Sequence, residues 1–109
     1  MFVIDNDTMS MSIIKKDTGA FQISLDNYAL GDGDKATFTV AKELEQETPV
    51  IQIVIESFVD GMATFFLTSA MTDIEVGTYM YDVQVNTKDG RVDTIVGPHK
   101  FKVLGGVTY

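Results

Sequence analysis

Apolar and polar side chains alternate along most of the chain, which is the period-two pattern of half-buried β-strands. The clearest strand follows Gly77, and the residues on one of its sides are all apolar or aromatic: Tyr79, Tyr81, Val83 and Val85. The same alternation predicts further strands at residues 9–14, 21–25, 36–40, 50–55, 63–68, 92–96 and 101–103. Because of its β-branched residues, the segment 50–55 is predicted to be a buried strand.

Turn residues divide these strands at short intervals. Asp17-Thr18-Gly19, Asp60-Gly61 and Lys88-Asp89-Gly90 are predicted turns, since Asp-Gly favours tight hairpins. The Asp60-Gly61 hairpin would lead into the strand at 63–68, and Gly97-Pro98 is expected to break the last strand. Residues 42–47 and 69–74 could each form a single helical turn, the second capped by Thr68 or Ser69.

This pattern predicts an all-β domain: an immunoglobulin-like antiparallel β-sandwich of seven to eight strands, with at most one short helical turn. The domain is expected to span 1–109, with 1–8 flexible and 105–109 a tail or linker. From the alternation, the predicted core consists of Phe21, Ile23, Phe38, Val40, Ile53, Phe65, Leu67, Tyr79, Tyr81, Val83, Val85 and Phe101.

The residues before the clearest strand match a tyrosine corner, in which a tyrosine hydroxyl binds a backbone group just upstream. Ile74 is followed by Gly77, which permits a tight turn, and then by Tyr79. The alternative is that Tyr79 is an ordinary core residue.

Composition and charge exclude several classes of function. The chain has 109 residues, no Cys, no Trp and one His, which excludes disulfide scaffolds, thiol catalysis and cysteine-ligated metals. A net charge of −8 disfavours binding to nucleic acid and to anionic membranes. We find neither an apolar run of about 20 residues nor a basic segment at the N-terminus, so no transmembrane segment or signal peptide is predicted.

Two places could carry chemistry, and both favour a structural interpretation. The loop 26–34 gathers acidic and amide side chains around Gly31 and Gly33: Asp26, Asn27, Asp32 and Asp34. Its spacing does not fit a calcium-binding loop, so a solvated loop is favoured over an ion site. His99 lacks a nucleophile and an orienting acid at any recognisable spacing. We therefore predict no catalytic residues, no metal and no cofactor.

Phe66 and Met80 lie on the polar sides of their predicted strands. Large apolar side chains on a solvent-facing sheet surface can mark an interaction patch, so both residues are candidate partner contacts. The alternative is that a loop or the N-terminal segment covers them.

Several strand-and-turn segments resemble one family. They are Asp34–Val40, Ser57–Phe65 with Leu67-Thr68, Gly77–Val85, Asp89–Val92, Gly97-Pro98, Phe101–Val103 and Val107-Thr108. Together they are similar to the N-terminal module of phage baseplate upper proteins and to related short prophage tail proteins of Gram-positive bacteria. The resemblance ends where those baseplate proteins continue into a coiled linker and a distal domain, and residues 1–11 have no counterpart in them.

The resemblance implies a non-enzymatic structural protein of a phage tail or baseplate. Its partners would be other tail proteins or further copies of itself, with no small-molecule substrate. It would occupy the host cytoplasm during assembly and then the virion. The alternative is a carbohydrate- or cell-surface-binding immunoglobulin-like module, although sugar-binding surfaces usually present aromatic platforms and this chain has no Trp.

Overall fold

The computed structural model describes residues 1–25, 30–31, 33–42 and 48–106, and within them the chain forms eight strands and no helix. The strands are β1 (Phe2–Ile4), β2 (Met11–Ile14), β3 (Gly19–Ser24), β4 (Lys35–Ala41), β5 (Ile51–Ile55), β6 (Met62–Leu67), β7 (Gly77–Asn86) and β8 (Val92–Leu104).

The strands form two sheets, which confirms the predicted all-β sandwich. The large sheet has six strands in the order β1-β2-β8-β7-β4-β5, and the small sheet pairs β3 with β6. Every pairing is antiparallel except that of β2 with β8, which is parallel and sets Met11 opposite Phe101. This strand order is compatible with an immunoglobulin-like topology.

Aromatic rings from both sheets meet in the core. The Phe38 ring on β4 lies at the centre, with ring centroids 5.0 Å from Phe21, 5.9 Å from Phe65, 5.6 Å from Tyr81 and 6.1 Å from Phe101. All of the predicted core is buried except Ile23 and Ile53, which are half-buried and pack against it. Both lie near sheet edges, where one side of a strand has no neighbour.

The N-terminal segment contributes a strand that the sequence did not predict. β1 pairs with β2, and the Phe2 ring stacks on Phe21 at 6.0 Å. The predicted first strand also begins later than expected, at Met11, because Met9 has a φ of 60°. The buried Tyr81 hydroxyl donates a 2.5 Å hydrogen bond to the Met9 carbonyl, which holds this bend against the core.

The turn at Asp60-Gly61 is confirmed, but the strands beside it are not partners. Both residues have positive φ, 53° and 72°, and Val59 and Met62 bridge across the turn. Beyond that bridge the chain passes between sheets, because β5 pairs with β4 while β6 pairs with β3. β5 is consequently an edge strand with Val54 48% exposed, and the prediction of a buried strand at 50–55 was wrong.

Gly97-Pro98 was predicted to break the last strand, and this prediction was wrong. β8 runs through it, and the pairing shifts so that Asp82 on β7 lies opposite both residues in a β-bulge. A bulge accommodates the extra residue while β7 and β8 stay paired on either side. Gly97 has a φ of 91°, which explains the need for glycine.

The turn predicted at Lys88-Asp89-Gly90 is confirmed, whereas the one predicted at Asp17-Thr18-Gly19 lies earlier in the chain. The Asp17 N–H donates to the Ile14 carbonyl at 2.9 Å and closes a turn there, and Gly19 is already the first residue of β3. Thr87 and Arg91 close the β7–β8 hairpin around Gly90, whose φ is 96°. After β6, the Thr68 side chain accepts a hydrogen bond of 3.2 Å from the Met71 N–H and caps a single turn. The segment 43–47, predicted as a helical turn, and 107–109 of the predicted tail lie outside the described residues.

Candidate interaction surface

The two buried tyrosines of β7 have structural roles. Tyr79 donates a 2.5 Å hydrogen bond to the Glu75 carbonyl four residues upstream, which is the geometry predicted for a tyrosine corner. Tyr81 holds Met9 in the same manner. Burial raises the pKa of both hydroxyls, so both remain protonated donors at neutral pH. Neither ring is exposed as a platform for a sugar.

Asp34 connects Gly31 with the neighbouring β7–β8 turn. Its carboxylate accepts hydrogen bonds of 2.8 Å from the Gly31 and the Lys88 backbone N–H groups, one on each oxygen. These two bonds lower the pKa of the carboxyl group. Asp34 thus has a structural role between the loop and the β7–β8 turn.

The other candidate ion ligands, Asp26, Asn27 and Asp32, lie outside the described residues. In the part of the chain that the structure describes, no group of three acidic or histidine side chains could hold a metal ion.

His99 faces the core side of β8 rather than a cleft. It is half-buried, lies opposite Tyr81 on β7, and its ring centroid is 5.9 Å from the Tyr81 ring. Among the described residues, it makes no hydrogen bond to an acid or to a hydroxyl group that could act as a nucleophile.

The two predicted contact residues lie on different sheets. Phe66 faces outward from the small sheet and is 65% exposed. Met80 faces outward from the large sheet and is only half-buried, between Ala41 on β4 and Lys100 on β8. The structure therefore does not bring them together, and a partner contacting both would have to reach around the sandwich.

The outer surface of the small sheet, which we call the small-sheet face, is uncharged. Neither β3 nor β6 contains an acidic or basic residue. Phe66 stands beside an open depression of about 520 Å³, and the residues lining it are Thr18, Gly19, Ala20, Phe66, Leu67 and Thr68. The Phe66 ring therefore projects from a surface of mostly small side chains, with open space beside it.

Both edges of the small sheet are unpaired in the described part of the chain. The Leu25 N–H donates to the Gly61 carbonyl at 2.7 Å, and this bond fixes which residues of β6 bond to β3. By the alternation of a ladder, Thr64 and Phe66 direct their backbone groups to the free edge. With no charge or proline on the strand, this edge lacks the usual protection against pairing.

The outer surface of the large sheet, the large-sheet face, presents uncharged polar side chains at its centre together with the lysines Lys35, Lys100 and Lys102. Neighbouring strands bring together Thr37, Thr39, Gln52, Gln84 and Thr94. Asp82 lies within this group beside Met80 and is half-buried. Asp82 was not among the contact residues predicted from the sequence, although the alternation of β7 places it on the same side as Met80.

Comparison with known proteins leaves the family of the chain open. No family model matches the sequence, and no curated protein matches it. The described residues include no helix that could cross a lipid bilayer.

Proposed function

We propose that this chain is a non-enzymatic structural module of a phage or prophage tail or baseplate that acts by protein–protein assembly. The observation that carries the proposal is the small-sheet face, where Phe66 is 65% exposed on an uncharged surface between two edges that no described strand pairs with. The phage assignment rests on the resemblance of the strand-and-turn segments to baseplate and tail modules.

The small-sheet face suits a protein partner. Burying an exposed phenylalanine contributes roughly 1.5–3 kcal/mol, and aromatic residues are enriched among the residues that dominate interfaces. A partner strand could add backbone hydrogen bonds at Thr64 and Phe66, while an apolar group fills the depression beside Phe66. The net charge of −8 favours solubility of the free chain and limits its non-specific association.

The contacts of the titratable groups support a structural role over catalysis. Tyr79, Tyr81 and Asp34 are each occupied in hydrogen bonds to the backbone. His99 packs on the core side of its strand. These groups therefore stabilise the fold and do not converge on a common point.

The test is co-purification with individual tail proteins encoded beside this chain's gene. We expect a stable complex with one of them, and we expect Phe66→Ser to weaken it at least about tenfold because an aromatic anchor is lost. Val92→Ser is the matched control, since Val92 is 60% exposed at the start of β8 on the other sheet. This control should bind like the unmodified protein.

Two results would overturn the proposal. One is that no tail protein binds, or that Phe66→Ser binds as tightly as the Val92→Ser control. The other is binding of a host cell-wall polysaccharide in the same buffer, which would establish the carbohydrate-binding alternative instead.

A further inference from the structure

The large-sheet face contains a carboxylate without a counter-charge. Asp82 is half-buried at the bulge between β7 and β8, opposite Gly97-Pro98 on one side and Thr39 on the other. Among the described residues it has no hydrogen bond and no ion pair. Burial raises the pKa of Asp82, and no hydrogen bond or ion pair to the described residues compensates the loss of water. A cation supplied from outside would relieve this cost.

The same face carries a cation close by that is also unpaired. Lys100 is exposed on β8 directly opposite Met80, and among the described residues it makes no salt bridge. Met80 thus has Lys100 one strand spacing to its side, about 4.8 Å, and Asp82 two residues along β7, about 6.6 Å away. The two directions are nearly perpendicular, and the two distances are similar.

We infer that two copies of this chain associate through their large-sheet faces, with Met80 at the centre and Asp82 of each copy paired with Lys100 of the other. One direction runs from Met80 across the strands to Lys100, and the other runs from Met80 along β7 to Asp82. A two-fold axis that lies in the plane of the interface, passes over Met80 and bisects these two directions exchanges them between the copies. It brings Lys100 of the second copy within about 2 Å, measured in the plane, of the position above Asp82. A lysine side chain spans that offset easily.

The resulting packing is one that β-sheets adopt. The strands of the two copies cross at about 90°, which is the orthogonal class of sheet packing. The other charged side chains that the described strands place on this face are Lys35 and Lys102, so Asp82 is the acidic partner for Lys100 and the two ion pairs decide the register. Met80 of each copy covers the other, which shields both pairs from water.

The area of the large-sheet face sets how tightly the two copies associate. Without the short edge strand β1, the five remaining strands of the large sheet, about 4.8 Å apart and on average about 20 Å long, give a surface of about 500 Å² on each copy. Standard interfaces bury about 800 Å² on each side, so a weak and reversible dimer is expected. This inference goes beyond the proposed function, because the small-sheet face stays free in the dimer and the dimer needs no phage partner.

The test is a pair of charge reversals, Asp82→Lys and Lys100→Asp, measured by sedimentation velocity. The unmodified chain should shift towards dimer mass between about 10 µM and about 1 mM. In a dimer of either variant alone, residues 82 and 100 of opposite copies carry like charges at both pairing positions. The association of each variant should therefore weaken at least about tenfold. An equimolar mixture of the two variants restores both opposite-charge pairs, and it should form a heterodimer.

Controls separate this interface from general charge effects and from Phe66. Asp7→Lys and Lys88→Asp make the same changes in net charge away from the face and should leave the dimer unchanged. Phe66→Ser should also dimerise normally. If Asp82→Lys fails to fold, as judged by circular dichroism, Lys100→Asp alone still tests the pairing because Lys100 is exposed. A monomeric unmodified chain at about 1 mM, a mixture that stays monomeric, or a dimer lost in Phe66→Ser would each overturn the inference.

Discussion

Gly97 is the position where the bulge between β7 and β8 can be tested most sharply. Its φ of 91° is strained for any residue with a side chain. A Cβ atom built there would also lie 2.6 Å from the Tyr81 carbonyl oxygen and 3.2 Å from the Asp82 Cα. These neighbours are backbone atoms of a central strand, so they cannot move away as a flexible side chain could.

Gly90 provides a matched control for this strain. Its φ is 96°, nearly the same, but a Cβ there would meet nothing within 4 Å. Gly90→Ala should therefore cost only the conformational strain, about 1–2 kcal/mol. Gly97→Ala should cost that plus the steric overlap, about 1–3 kcal/mol more. The expected total of about 2–5 kcal/mol is a large part of the stability of a small domain.

Urea denaturation of both variants measures the two terms. The difference in unfolding free energy between Gly97→Ala and Gly90→Ala gives the energy of the steric overlap alone. The dependence of the unfolding free energy on urea concentration should be the same in both variants and the parent. In thermal unfolding, each kcal/mol corresponds to about 4 °C in a domain of this size. Equal losses in the two variants would show that the bulge does not have the close backbone contact described above.

Four further predictions concern the core, the corner, the unpaired carboxylate and the acidic loop. Val83→Asp buries an unpaired charge in a fully buried position and should cost about 3–5 kcal/mol; a melting temperature within a few degrees of the parent would contradict the core assignment. Tyr79→Phe removes the donor to the Glu75 carbonyl and should cost about 1–2 kcal/mol in urea denaturation, whereas an unchanged midpoint would mean that water replaces the bond. Asp82→Asn should stabilise the chain at pH 7, measured at low protein concentration. The raised pKa means that the charged carboxylate is disfavoured in the folded state. Its cost to the unfolding free energy is therefore absent below the unfolded pKa near 3.8 and grows as pH rises through the folded pKa. Thermal scans at pH 3 and pH 7 check it, and a gain at pH 3 as large as that at pH 7 would refute the assignment. Millimolar Ca²⁺ should leave the melting temperature unchanged, because both oxygens of Asp34 already accept backbone hydrogen bonds; a clear rise would place an ion in the 26–34 loop.

The contact candidates show how far alternation could predict a site. Alternation identified Phe66 and Met80 as outward-facing because neighbouring side chains of a strand point to opposite sides. It could not show that they lie on different sheets, since that depends on which strands pair. Asp82 was missed because a polar residue at an outward position attracts no notice until its burial and its missing partner are known.

The sequence by itself determined most of the strands, most of the core and the turns at Asp60-Gly61 and Lys88-Asp89-Gly90. Period-two alternation selects the side of a strand that is buried, and glycine at Gly61 and Gly90 supplies the positive φ that tight turns require. Even the tyrosine corner was predictable, because Tyr79 and the Glu75 carbonyl are four residues apart. All of these features depend on local spacing along the chain.

Only the tertiary structure decided the pairing of the strands. The parallel contact of β2 with β8, the transfer of the chain from β5 to the other sheet, and the bulge opposite Asp82 join residues distant in sequence. Such pairings depend on how the whole set of apolar surfaces is buried together. Local alternation is the same whichever neighbour a strand takes, so it carries no information about that choice.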